Sequence, residues 1–174
     1  CVGDQLKFIA CTHTHPDHVG GQFSDMRIEG VTELLEKVKA KVVIHKAEAN
    51  FLKQVSRSDL VMVEGGDEID VGGVKVKIIH TPGHTPGSQC FLIENSLVSG
   101  DTLFIGSCGR ADLPGGDAEE LYFSLTQKLM ILPPQTTLYP GHNYTGRPTS
   151  ILAEEKNSKF TILFPEQIFS SSGI

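Results

Sequence analysis

The chain has no Cys-x-x-Cys pair and only four cysteines, Cys1, Cys11, Cys90 and Cys108. That argues against a disulfide-stapled fold and a thioredoxin-type redox site, and it points to reduced thiols in a cytosolic-type compartment. Cys11 and Cys90 lie inside apolar runs, where a small thiol serves as core filler. Basic clusters are missing too. Asp and Glu number 21 against 15 Lys and Arg, and the net charge is −6 with a pI of about 5.6. This balance argues against a nucleic-acid partner gripped through its phosphates. No apolar run approaches the roughly 20 residues of a membrane span, and no signal-peptide pattern opens the chain, so a cytoplasmic protein with no membrane association is expected. There is no Gly-x-Ser-x-Gly elbow and no P-loop. Repeats and low-complexity blocks are absent. Tryptophan is absent as well, which excludes nothing.

What remains is 174 residues with 39% hydrophobic content, which suits one domain, 1–174, with a real core. Its organising stretch is Thr12-His13-Thr14-His15-Pro16-Asp17-His18. Four metal-capable side chains fall within six residues, directly after the apolar run Leu6 to Cys11. The run reads as a buried strand and the Pro and Gly that follow as loop. A strand that empties into such a loop delivers imidazoles and a carboxylate to one point. Proline at position 16 keeps His15 extended and out of a helix. Imidazole nitrogen and carboxylate oxygen suit zinc, iron or manganese, and two such ions can share one pocket.

Further along, Val31, Leu34, Leu35 and Val38 recur at helical spacing and predict a helix over Val31 to Lys39. Lys41 to His45 reads as a strand, with Val42, Val43 and Ile44 too continuously apolar for a solvated face, and Ala47 to Val55 as another helix. His45, at a strand end, is expected to be exposed. Short β-type runs follow at Leu60 to Val63, Glu68 to Val71 and Val74 to Ile79, with Gly-rich turns between them. Gln89 to Glu94 and Leu97 to Ser99 make a second hairpin. Asp117 is a candidate cap for a helix reaching about Met130, with Leu121, Leu125 and Leu129 on its inner face. Thr136 to Tyr139 is a short strand, Thr149 to Asn157 a last helix started by Pro148, and Ser170 to Ile174 a frayed tail. Strands alternating with helices argue for an α/β layered sandwich.

Three later loops repeat the pattern of an apolar strand ending in a polar group at a glycine turn. They are His80-Thr-Pro-Gly-His84-Thr-Pro-Gly-Ser88, Ser99-Gly100-Asp101-Thr102 and Pro140-Gly141-His142-Asn143. Strand-end loops are where a layered fold gathers its chemistry. With Cys108-Gly109-Arg110, these stations resemble the metallo-β-lactamase superfamily, and most of all the branch of hydroxyacylglutathione hydrolase (glyoxalase II) and the persulfide dioxygenases. The resemblance runs from Leu6 to about Asn157. It implies an αββα four-layer sandwich. Members usually open with a β-hairpin and strand before the metal loop, so part of the N-terminal sheet is expected to be missing here.

The resemblance further implies two divalent ions, zinc first, with iron or manganese as alternatives. His13, His15 and His84 would hold one ion, and Asp17, His18 and His142 the other. Asp101 would bridge both. Asp17 and Asp101 would carry the catalytic roles, and Arg110 and Tyr144 would contact substrate. A shared carboxylate offsets the repulsion between two close cations, and metal-bound water becomes a hydroxide nucleophile near neutral pH. His80 would bond locally.

Three functions are compatible with these residues. The first is hydrolysis of a thioester such as an acyl-glutathione, the default of the full seven-donor set. Arg110 would then clamp the substrate's anionic end, although a salt bridge to Asp112 or Asp117 is an equal reading. The second is a persulfide dioxygenase with a single Fe(II) on His13, His84 and Asp101. It is favoured by the Arg110-x-Asp112 pattern, by Ala111-Asp112-Leu113 where glyoxalase II has aromatics, and by the expectation that the C-terminal helical domain of glyoxalase II has no counterpart here. The third is a non-catalytic, truncated metal-binding domain. In the first two readings the substrate is a small thioester or persulfide.

Overall fold

The computed structural model describes residues 6–157; the tail expected to fray and Cys1 lie outside them. After Glu64 the chain divides into two compact units. Among the described residues no helix is long and apolar enough to cross a membrane.

The N-terminal unit holds β1 (Phe8–Ala10), α1 (Pro16–Val19), β2 (Gly21–Phe23), β3 (Met26–Ile28), α2 (Val31–Lys37), β4 (Lys41–His45) and β5 (Leu60–Val63). Strands β1, β4 and β5 form a parallel sheet with β4 in the middle. Central parallel strands are covered on both faces, so they read as unbroken apolar runs. Val42, Val43 and Ile44 do so, and all three are fully buried. Cys11, Val19, Val31, Leu52 and Val55 pack around Val42 and Ile44, with Leu35 half-buried against them. Leu34, counted on the same helical face, is exposed.

Two expectations fail here. Over Ala47 to Val55 only Ala49–Phe51 coils, as one 3-10 turn without a side-chain cap, and Leu52 leaves helical geometry at φ −89°, ψ 52°. So short a stretch gains little as an isolated helix. Ala49, Leu52 and Val55 reach the core from turns instead. His45 is buried, not exposed. It pairs with Val63 on a strand flanked on both sides, and the Ala47 amide donates to its Nδ1 at 3.3 Å.

The C-terminal unit holds β6 (Glu68–Val71), β7 (Val74–His80), β8 (Gln89–Ile93), β9 (Ser96–Gly100), β10 (Leu103–Phe104), β11 (Ser107–Cys108), α3 (Ala118–Phe123), β12 (Thr137–Pro140), β13 (Ser150–Ile151) and α4 (Leu152–Lys156). Its main sheet has the order β13-β12-β9-β8-β7-β6. Strands β6 to β9 run antiparallel in sequence, β12 lies parallel to β9, and β13 antiparallel to β12. It follows that β7, β9 and β12 all end at one edge of the sheet. The loops bearing His84, Asp101 and His142 leave from that edge.

Asp117 caps α3 as expected, its carboxylate accepting from the Glu120 amide at 2.9 Å. The helix continues through a wider π-type stretch, Ser124–Leu129, so Leu121, Leu125 and Leu129 all reach the core beside Leu97, Leu138 and Leu152. The last helix starts later than expected. Ser150–Ile151 first pair with β12, because the Thr137 and Leu138 backbone would otherwise leave an open edge. Helices and sheets are mixed in both units, which is the α/β class.

Candidate metal centre

The N-terminal donors are set by the end of β1. The Cys11 amide still bonds to the Val43 carbonyl at 2.9 Å, so the sheet holds the chain until just before the histidines. His15 is extended (φ −64°, ψ 147°), as the following proline requires, and Pro16 opens the single turn α1. His13 is buried and its ring meets both neighbouring imidazoles. Its Nε2 lies 3.0 Å from His15 Nδ1, and its ring centroid lies 4.1 Å from that of His18. Asp17, exposed, reaches His18 Nε2 at 3.8 Å. Thr14, between the first two histidines, turns the other way. Its amide (3.1 Å) and its hydroxyl both donate to Glu48, a buried carboxylate just beyond β4.

The C-terminal donors centre on Asp101. Its Oδ2 lies 3.3 Å from His142 Nε2 and 3.7 Å from His84 Nε2. His84 Nδ1 donates to the Arg110 carbonyl at 2.7 Å. A carbonyl only accepts, so Nδ1 is the donor of this pair, and Nε2 is the nitrogen on the Asp101 side. Backbone hydrogen bonds of this kind orient metal-binding histidines. Two motif glycines allow the close approach of the loops. A Cβ on Gly141 would stand 2.5 Å from Asp101 Oδ1, and one on Gly109 1.8 Å from the Asp101 carbonyl oxygen. The Gly141 amide donates to the Gly100 carbonyl at 2.9 Å, continuing the β9–β12 pairing. Beneath, Thr81 and Thr102 join their hydroxyls at 2.8 Å, and Thr81 also touches Cys90 Sγ at 3.4 Å. This buried link ties the His84 loop to the Asp101 loop.

The donor chemistry fits a divalent metal. Each unit offers imidazoles whose nitrogens or rings converge, with a carboxylate beside them, and the His/Asp set is compatible with a metal site. The C-terminal unit brings His84, Asp101 and His142 together, and the N-terminal unit His13, His15, Asp17 and His18. His80 is a local bonder, its Nε2 donating to the Pro86 carbonyl at 2.9 Å.

Arg110 is exposed and forks onto Asp112, with Nε and Nη2 at 2.9 and 2.8 Å. That hydrogen bonding holds the Asp112 carboxyl at about 2. Tyr144 is exposed and stacks on His142, with centroids 5.7 Å apart at 26°, while Phe104 meets it edge-on at 5.3 Å. Burial pushes the Cys108 thiol up to about 12, so it offers no nucleophile at neutral pH. The supporting residues Thr14, Thr81, Thr102 and Glu48 went unrecognised in the sequence. The threonines stand inside the His- and Asp-bearing motifs, whereas Glu48 carries no local signal.

The model of the metallo-beta-lactamase superfamily matches residues 3–142. Hydroxyacylglutathione hydrolase of Brucella ovis is 40% identical over 145 residues, which are 82% of this chain and 50% of that protein. Probable metallo-hydrolase YqgX of Bacillus subtilis is 33% identical over 168 residues, 87% of this chain and 74% of that protein. The crystal structure of ETHE1 from Myxococcus xanthus superposes with a TM-score of 0.75 at 31% identity, over 94% of this chain and 70% of that one. The chain thus spans half the length of the hydroxyacylglutathione hydrolase it matches, 50%.

Proposed function

The chain belongs to the metallo-β-lactamase superfamily, in the branch of hydroxyacylglutathione hydrolases and ETHE1, with that family's α/β sandwich fold, and on that premise we propose that it is a metal-dependent thioester hydrolase. It is a metallo-hydrolase-family protein with a His/Asp set suited to divalent metal. The finer reading is that residues 1–174 act as one domain. Within it His13, His15 and His84 would hold one zinc ion, Asp17, His18 and His142 a second, and Asp101 both. The substrate is an acyl-glutathione or similar thioester, and the compartment the cytoplasm. Reduced thiols at Cys11, Cys90 and Cys108 fit such a compartment.

The observation that carries this reading is Asp101, one carboxylate oxygen set between two imidazoles on loops from one sheet edge. A shared carboxylate is what two close cations need. When bound, the ions lower the pKa of water to about 7 and polarise the acyl carbonyl. The chain's own groups do the rest. Asp17 accepts the proton of the attacking water at its carboxylate. Water adds to the acyl carbon, the carbon–sulfur bond breaks, and the departing thiolate takes that proton back from Asp17 to leave as the thiol. Arg110 grips the substrate's carboxylate after exchanging Asp112 for it, and Tyr144 packs against the thiol's carrier beside His142.

A second reading has its own support. The likeness to ETHE1 and the Arg110–Asp112 fork favour a mono-iron persulfide dioxygenase on His13, His84 and Asp101. One experiment separates them. The zinc-loaded chain should hold two ions and release thiol from lactoylglutathione without oxygen. One iron per chain, oxygen uptake with glutathione persulfide and no thiol release would overturn the hydrolase reading.

A further inference from the structure

We infer that Glu48 is a positioning residue for the metal, locking the His13-Thr14-His15 segment in its ligating form. This rests on the reading that His13 and His15 are metal ligands. Three observations carry it. First, Glu48 is 1% exposed, and a carboxylate is rarely sunk so deep without a partner that repays its desolvation. Second, Thr14 gives it both the backbone amide, at 3.1 Å to Oε2, and the side-chain hydroxyl, to the same oxygen. Third, Thr14 is the one residue between two imidazoles that meet at 3.0 Å.

The placement follows from the sheet. Strands β1 and β4 are parallel neighbours, so their C-terminal loops emerge side by side. Glu48 is fixed on the β4 side by its own amide, which donates to the His45 carbonyl at 2.9 Å, and by the turn whose Phe51 amide donates to the Glu48 carbonyl at 2.9 Å. A rigid acceptor therefore holds the middle of the ligand tripeptide from behind. Without it, residues 12–15 must find their geometry when the metal arrives, and the ordering cost falls on metal affinity. Partners one shell out from a metal typically contribute 10–100-fold in affinity.

The test measures zinc affinity of the full chain by competition with a chromophoric chelator, alongside thermal melts of the metal-free protein. Glu48→Ala should weaken zinc binding at least about tenfold. Glu48→Gln keeps an acceptor oxygen for both Thr14 donors and should restore most of it. Should Glu48→Ala not fold, Thr14→Val removes only the hydroxyl bond and should still weaken zinc by several-fold. Loss of melting temperature in Glu48→Ala and Thr14→Val with zinc affinity within twofold of wild type would make Glu48 a merely structural residue and overturn the inference alone. A wild-type chain that binds no zinc would overturn both the inference and the ligand reading beneath it.

Discussion

Replacing Gly141 with alanine tests how Asp101 is placed. The new methyl would stand 2.5 Å from Asp101 Oδ1 and 3.0 Å from the Gly100 carbonyl carbon and oxygen. Ordinary contact begins near 3.4 Å. The backbone of β9 cannot yield easily, since Gly100 pairs with Pro140 and accepts from the Gly141 amide. The carboxylate must move instead, by about 1 Å, a displacement that costs on the order of 10²-fold in rate when it misplaces a catalytic group. The stability cost of such overpacking is about 1–3 kcal/mol, or roughly 2–12 °C in Tm for a chain of this size. The expected result is a folded protein with zinc affinity down about tenfold or more and thioesterase activity down about 10²-fold. Gly109→Ala serves as a comparison, because its methyl would meet the Asp101 carbonyl, a backbone atom, at 1.8 Å. It should lose more Tm than Gly141→Ala. A Gly141→Ala protein with zinc affinity and turnover both within twofold of wild type would refute the reasoning.

Three further outcomes are expected. Asp101→Ala should lower zinc affinity by about 10²-fold or more and Asp17→Ala by about tenfold, because Asp101 is assigned to both ions and Asp17 to one; equal losses, read by chelator competition, would remove the bridging role. The thiols of Cys11, Cys90 and Cys108, pushed by burial to about 12, 11 and 12, should resist iodoacetamide in the native protein at pH 8, where about one Cys108 in ten thousand is thiolate. A raised thiol pKa leaves stability intact below its ordinary value near 9 and lowers it as pH climbs toward 12, so Tm should fall over that window, and rapid labelling at pH 8 would contradict it.

The donor-bearing loops stood out because each combines an apolar run with a glycine turn and a His or Asp, and such runs do become β1, β7, β9 and β12. The Val42 to Ile44 run is a buried central strand for the reason its continuity suggested. The missed parts are short or non-local. Hairpins β2–β3 and β10–β11 have strands of two or three residues, too brief to show a period of two. The stretch Ala47 to Val55 carries helical spacing at Ala49, Leu52 and Val55, yet tertiary packing uses those residues from turns. His45 is polar and ends a strand, which suggested solvent. Its burial depends on flanking strands that one segment does not reveal. The Thr14–Glu48 contact joins residues 34 apart, a distance no local pattern spans.

The meander geometry has a practical consequence. Because β7, β9 and β12 finish at one rim of their sheet, the turns at Gly72–Gly73 and Glu94–Asn95 fall at the opposite rim, where Thr137 begins β12 against Asn95. That far rim is a natural attachment point for a fluorophore or surface tether. A label there would report on the molecule while standing a full strand length from its donors.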